Sequence, residues 1–494
     1  MSNRIKKFSL GLVYIAVILF IGCVPEDSLE WSDDGSVGLL RVKGALYLVD
    51  GETGELTEIA TDSVLPWPDI SKDGSLIAYS RVINCDNLSE GLEMLPAEQA
   101  KMIKYYAGQM AKDIISKGGL IDKKFPEPPV DILKHNDVKE WVIRFLCENA
   151  NDELSNALGE EDMKLGKGKE LEYSQVTVVS KNKFNDERVI TTSIFPIMAT
   201  RLSPDKQNVA YIMNTQHGEE EMEYSLYVAS LNGEVKSMFV DDYVALGYDW
   251  SEDSERIVFL SSDSSDLDED MVLGTLNEIE VADALIGLLS KQHEINEAGA
   301  IHAYDCSNGS HSLAGTVFYP WMKVRYGIGG RIFFSTVNLP LPTSNMDEPG
   351  YSVFCYDPVI KTVTDIMPPK ASAYASQSMC MLQFELSQDS KIIMVPFKEN
   401  RFLGFILGTD EIEVPFSEDE AFGDEDISYL IPGFKGQNEI SFLVSEDNHY
   451  LIEAGRAPED CNRSEIIVLN HSNNEVRILS ESWPDEIIEA LVKN

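Results

Sequence analysis

Basic residues are the first shortage in this sequence. Lys and Arg number 40 against 83 Asp and Glu, leaving a net charge of −43 at neutral pH. A field of that sign repels nucleic acid and anionic lipid, so direct DNA or RNA binding is excluded, while divalent cations and basic partners stay open. Histidine is scarce as well: His135, His217, His293, His302, His311, His449 and His471 are all there are. The strand–turn–helix signature of a hydrolase serine, G-x-S-x-G, is missing. So are the P-loop and H-E-x-x-H. No two cysteines have the short paired spacing of a zinc site. Catalytic signals are thin, and no cofactor is implied. A hydrophobic content of 44% nevertheless fits a folded protein and not an acidic disordered one.

The N-terminus carries its own message. Arg4, Lys6 and Lys7 precede an apolar run from Leu10 to Ile21 that only Gly11 interrupts. The run is too short to span a bilayer comfortably and has the flanks of a signal peptide. Phe20-Ile21-Gly22-Cys23 resembles the lipobox of bacterial lipoproteins, in which a small residue precedes the cysteine. The resemblance implies cleavage before Cys23 and acyl chains on that cysteine, a stable membrane anchor. Phe20 departs from the usual Leu, and an uncleaved membrane helix is the alternative. Either way the chain is expected outside the cytoplasm. Val24 in place of Asp favours the outer membrane if the organism has one.

Beyond the anchor, a short pattern repeats: an apolar residue, Ser, any residue, Asp, a turn residue, then an apolar run. It occurs at Trp31-Ser32-Asp33-Asp34-Gly35, Ile70-Ser71-Lys72-Asp73-Gly74 and Leu202-Ser203-Pro204-Asp205-Lys206. Trp250-Ser251-Glu252-Asp253-Ser254 and Leu386-Ser387-Gln388-Asp389-Ser390 repeat it. Ser and Asp accept backbone N–H groups in a tight hairpin turn, and Gly tolerates the positive φ such turns use. The runs that follow, such as Ile257-Val258-Phe259-Leu260, are apolar at consecutive positions, so both faces must be covered. A second strand–turn–strand trails each one, as in Leu46-Tyr47-Leu48-Val49-Asp50 leading to Glu55-Leu56-Thr57. Two hairpins make one propeller blade.

About seven such units follow one another, near 31–60, 67–193, 199–239, 247–315, 320–366, 382–416 and 427–479. A small sheet can cover its faces only against neighbours, and a closed ring gives every sheet two of them. The expected fold is all-β: a single β-propeller over 31–480, seven-bladed, with six or eight blades possible, behind a signal peptide at 1–22 and a tether at 23–30. The half-repeats resemble those of TolB-type propellers, with Ser203-Pro204-Asp205 and Leu46-Tyr47-Leu48-Val49-Asp50 the closest matches. The resemblance implies architecture more than function, because this repeat serves scaffolds, peptidase accessory domains and lyases alike. The α/β domain that precedes the propeller in TolB has no room between Cys23 and Trp31.

Helical insertions are expected near 84–172 and 280–297, and a short helix in the tail, 481–494. Glu98 to Ser116 places Met102, Ile103, Tyr106, Met110, Ile114 and Ile115 on one side, and Asp137 is the expected N-cap of a helix through Trp141, Val142, Phe145 and Leu146. Such helices could offer a partner surface, a lid or simple packing. Six cysteines remain once Cys23 is set aside: Cys85, Cys147, Cys306, Cys355, Cys380 and Cys461. They could pair or lie buried as small apolar residues, and Cys85 with Cys147 is the pair the insertion brings to mind.

Residues on the expected channel-lining strands are Asp69, Arg201, Asp249, Lys323, Arg325 and Glu385, a mixed set that favours mutual neutralisation. Asp263, Asp266, Asp268, Glu269 and Asp270 have part of a calcium-loop spacing, but Met271 stands at the sharp-turn Gly and Asn277 at the bidentate Glu. That cluster, like Glu418, Asp419, Glu420, Asp424, Glu425 and Asp426, reads as a solvated acidic loop. The functional expectation is a lipid-anchored envelope propeller that binds a protein partner or acts as a scaffold. An enzyme acting on polysaccharide or peptide through its channel, and an accessory subunit for outer-membrane protein assembly, are the alternatives.

Overall fold

The computed structural model describes residues 28–117, 136–168, 170–214, 224–231, 238–241, 244–261, 298–318, 323–338, 350–360, 362–367, 384–397, 401–406, 412–414, 429–444, 465–470 and 475–492. The chain is mostly β, with few helices. Seven antiparallel sheets of four strands each occur among the described residues, and in every one the strands pair in chain order. They span 28–60, 69–193, 197–241, 244–318, 324–365, 385–414 and 429–478.

The repeated Ser-x-Asp pattern is the turn between the first two strands of five sheets, and it uses the same bonds each time. In the fourth sheet Ser251 Oγ donates to Asp253 Oδ1 at 2.5 Å and accepts the Arg256 N–H at 2.9 Å. The Glu255 N–H reaches Asp253 Oδ1 at 3.0 Å. Ser387 and Asp389 repeat the set with Ile392 and Lys391. Ser203 and Asp205 do so with Asn208 and Gln207. The residue after the Asp is left-handed in all five turns: Gly35, Gly74, Lys206, Ser254 and Ser390 have φ between 52° and 68°. Glycine takes that conformation freely, whereas Lys206, Ser254 and Ser390 hold it at a cost. In the first and fourth sheets the second hairpin turns on an aspartate as well. Asp50 accepts from Glu52 and Thr53, and Asp305 from Ser307 and Asn308.

Two compact units make up the chain: 63–69 with 76–243, and 1–62 with 70–75 and 244–494. In the first of these, four helices stand between the second and third strands of the second sheet: α1 (Leu88–Met94), α2 (Ala97–Ser116), α3 (Asn136–Glu148) and α4 (Asp152–Lys167). The strands that carry them, Leu76–Cys85 and Leu171–Ser180, are ten residues long and pair throughout, from Leu76 opposite Ser180 to Cys85 opposite Leu171. Asn87 and Asn151 cap α1 and α4 by accepting first-turn N–H groups. Sequence patterning misses both helices. α3 begins at Asn136, so Asp137 falls within its first turn and not ahead of it.

In the other unit, the first and seventh sheets share a core with α5 (Asp485–Val492). Leu29, Leu40, Val42 and Val49 meet Ile466, Val468, Trp483, Ile487, Ile488 and Leu491 there. Trp31 Nε1 donates to Ser441 Oγ at 2.8 Å, the Lys435 ammonium lies 5.4 Å from the Trp31 ring centre, and Trp483 Nε1 donates to the Gly54 carbonyl at 2.7 Å. No helix among the described residues is long and apolar enough to cross a membrane.

Candidate functional site

Asp69, Arg201, Asp249 and Glu385 stand on first strands of sheets, two residues before the turn serine, while Arg325 is on the first strand of the fifth sheet and Lys323 just precedes it. Asp69, on the second sheet, accepts the Leu202 N–H of the third sheet through Oδ2 at 2.6 Å. Asp249, on the fourth sheet, accepts the Tyr326 N–H of the fifth through Oδ2 at 2.9 Å. Its Oδ1 lies 3.8 Å from Nη1 of Arg325. Glu385 holds the matching position on the sixth sheet and pairs with the Lys323 ammonium of the fifth. Arg201 occupies the place in the third sheet that Arg325 has in the fifth, one residue before the N–H that the carboxylate takes.

Two first-strand aspartates therefore do the same job: Asp69 and Asp249 each reach across to an N–H on the first strand of the next sheet, whereas Glu385 pairs back with the fifth. Such a bond to an ionised acceptor contributes about 1.5–3 kcal/mol when sheltered. Asp249 and Arg325 are mostly shielded, with side chains 19% and 15% exposed, so the pair joins sheets inside the protein. Burial pushes the Tyr326 hydroxyl up to about 12, with Arg256 working against the shift and Asp249 and Asp253 adding to it. The phenol stays protonated near neutrality and is no base. Together these contacts latch sheets, and they hold no free nucleophile.

The helical insert is a second place where function can reside. Its core joins Ile103, Tyr106, Met110, Trp141, Val142 and Leu158 to Tyr173 of the second sheet and to Ile194 just beyond it. Polar bonds fix its position. Gln99 donates to Ser193 Oγ at 3.0 Å and accepts the Ile194 N–H at 2.9 Å. Trp141 Nε1 donates to the Glu172 carbonyl at 2.8 Å, and Arg144 donates to the carbonyls of Asp86 and Lys167. The suggested Cys85–Cys147 disulfide is absent: both are free, buried thiols. Each fills a notch left by a different glycine. A Cβ on Gly91 of α1 would lie 3.0 Å from the Cys85 sulfur, and one on Gly166 of α4 would lie 2.3 Å from that of Cys147. Burial raises the Cys147 thiol above its ordinary range, and pushes Cys306 and Cys355 up to about 11. These thiols behave as small apolar side chains.

His302 and His311 belong to an aromatic stack on the fourth sheet with Phe259 and Tyr304, their rings 6.3 Å apart. No group of three or more potential metal ligands occurs among the described residues. Cys23, the acidic runs at 263–270 and 418–426, the insertion near 280–297, Cys380, Cys461 and the other five histidines lie outside the described residues.

No protein-family model matches the chain, and no curated protein matches it by sequence. Among solved structures it is similar to TolB from Acinetobacter baumannii, at 14% identity over 62% of this chain and 61% of that one, with a TM-score of 0.34. It is also similar to the β-propeller domain of the trilobed protease from Pyrococcus furiosus, at 10% identity over 62% of this chain and 75% of that one, TM-score 0.37. Oligogalacturonate lyase from Vibrio parahaemolyticus is a third, at 9% identity over 74% of this chain and 72% of that one, TM-score 0.38. Similarities this low assign neither a family nor an activity.

Proposed function

We propose that the chain is a seven-bladed β-propeller of the cell envelope, held at a membrane by lipid on Cys23, that binds a protein partner or serves as a scaffold without catalysis. The observation that carries this reading is the fate of the first-strand charges. Asp69, Asp249, Arg325, Lys323 and Glu385 are spent joining sheets, which leaves the helical insert as the feature that departs from the repeat. Meander sheets of four strands have the make-up of blades. Packing of the first sheet on the seventh is the contact a closed ring requires at its ends. The anchor rests on the Ile21-Gly22-Cys23 segment and the basic residues before the apolar run.

Affinity purification from detergent-solubilised envelope tests the proposal, in parallel with metabolic labelling by a fatty acid. The expected result is acyl label that disappears in Cys23→Ser and one stoichiometric protein partner. Hydrolysis or cleavage of an envelope polysaccharide or peptide that Asp249→Asn and Glu385→Gln abolish, with folding intact, would replace it with the enzyme reading.

A further inference from the structure

α2 carries a face that its core does not use. Ala100, Ile103, Tyr106, Ala107, Met110 and Ile114 are buried. Lys101, Lys104, Tyr105, Gly108 and Lys112 are exposed, and their spacing of three and four residues lines them along one side of the helix. Tyr105 is 60% exposed, a large ring left in water with one edge against Tyr106. Lys101 bonds Glu98 in an exposed pair, whereas Lys104 and Lys112 pair with no described residue. Gly108 stands at the middle of this face, and a Cβ added there would meet nothing within 4 Å. A glycine in a helix interior costs about 1 kcal/mol relative to alanine, and neither crowding nor a positive φ requires one here.

A basic stripe with an exposed aromatic ring and a central notch runs against the composition of a chain with a net charge of −43. We infer that this face of α2 docks an acidic amphipathic helix of a partner protein, its carboxylates on Lys101, Lys104 and Lys112 and a small residue against Gly108. The inference rests on the protein-binding reading above and names the partner's chemistry. Lysines supply complementarity and orientation. Tyr105 is an anchor of the kind that dominates interface energies, and the missing side chain at 108 lets two helix axes approach closely. Anionic lipid is the weaker fit, because the rest of the chain repels it and a notch of one side chain gains nothing against a fluid surface.

The test uses the full chain with a photo-crosslinking benzophenone side chain in place of Gln109, which borders the stripe, in cells of the source organism. The expected product is one crosslinked protein whose attached segment is acidic with helical periodicity. Its yield should fall about tenfold in Lys104→Glu/Lys112→Glu and in Gly108→Leu. Circular dichroism matching the parent establishes that these exposed changes leave the fold alone, and Lys104→Arg/Lys112→Arg should retain the product. Crosslinks to lipid, or flotation of the unacylated Cys23→Ser chain with vesicles of 30% phosphatidylglycerol that the Glu changes abolish, would overturn the inference. If envelope purification captures a stoichiometric partner equally with the Glu variants, the stripe is refuted and the protein-binding reading survives. If no partner is captured by either route, both fall.

Discussion

In the fourth sheet one serine hydroxyl and one aspartate organise a whole hairpin, and four other sheets contain the same pair in the same geometry. The helical insert has no repeated unit at all. It is held by a single apolar core around Trp141 and by bonds that each occur once, such as Gln99 to Ser193 and Ile194. The difference shows how damage should be shared out. Where the same small set of bonds recurs, losing one leaves the others intact. In the insert, one large side chain supports every helix that touches it.

Trp141→Ala should therefore have the largest effect, about 3–5 kcal/mol, since Trp141 is 1% exposed and its indole N–H is bonded. Hydrogen exchange should show protection lost in α1 to α4 and retained in the fourth sheet. Equal loss in both would break the contrast. Asp249→Ala should come next, at about 2 kcal/mol in urea unfolding, because it orphans the Tyr326 N–H and leaves Arg325 without its carboxylate. Ser251→Ala removes one turn hydroxyl and should cost about 1 kcal/mol, with the Ser387 turn unaffected by hydrogen exchange.

Acid should separate the two regions more gently. The Ser36 N–H and the Ser36 and Ser32 hydroxyls hold Asp34 below its ordinary range, and Ser251 does so for Asp253. A carboxylate lowered on folding adds stability above its unfolded value near 4, and that contribution fades as pH falls through the folded value. Urea midpoints should thus decline below about pH 4, and Asp34→Asn/Asp253→Asn should flatten that decline. The smallest change expected is a gain: Lys206→Gly and Ser254→Gly relieve left-handed backbone at φ 59° and 63°, and each should raise stability by roughly 0.5 kcal/mol in thermal melts.

The sheets are legible in the sequence because their turns reuse short-range chemistry. Ser251, Asp253 and the Ile257–Leu260 run announce hairpin and strand within ten residues. α2 is legible from its 3.6-residue period, yet its outward stripe of Lys101, Lys104, Tyr105 and Lys112 is silent until exposure is known, although the same period defines it. α1 and α4 are announced only by Asn87 and Asn151, single capping residues in polar surroundings. The latches are less legible still. Asp69 and Leu202 are separated by 133 residues, and no local pattern says which N–H an aspartate will find. The thiols of Cys85 and Cys147 illustrate the same limit: proximity in the insertion suggests a bridge, but Gly91 and Gly166 draw them into separate notches.

Local bonding and hydrophobic period, then, are written in the order of residues: the serine–aspartate turns, the buried runs, the excess of acid and the cysteine behind an apolar run all follow from neighbours a few positions apart. Which charged groups join sheets, and which stay exposed, depends on distances between residues remote along the chain. Only the packed fold sets those distances, because burial decides whether an aspartate such as Asp249 finds an arginine and an amide or faces water.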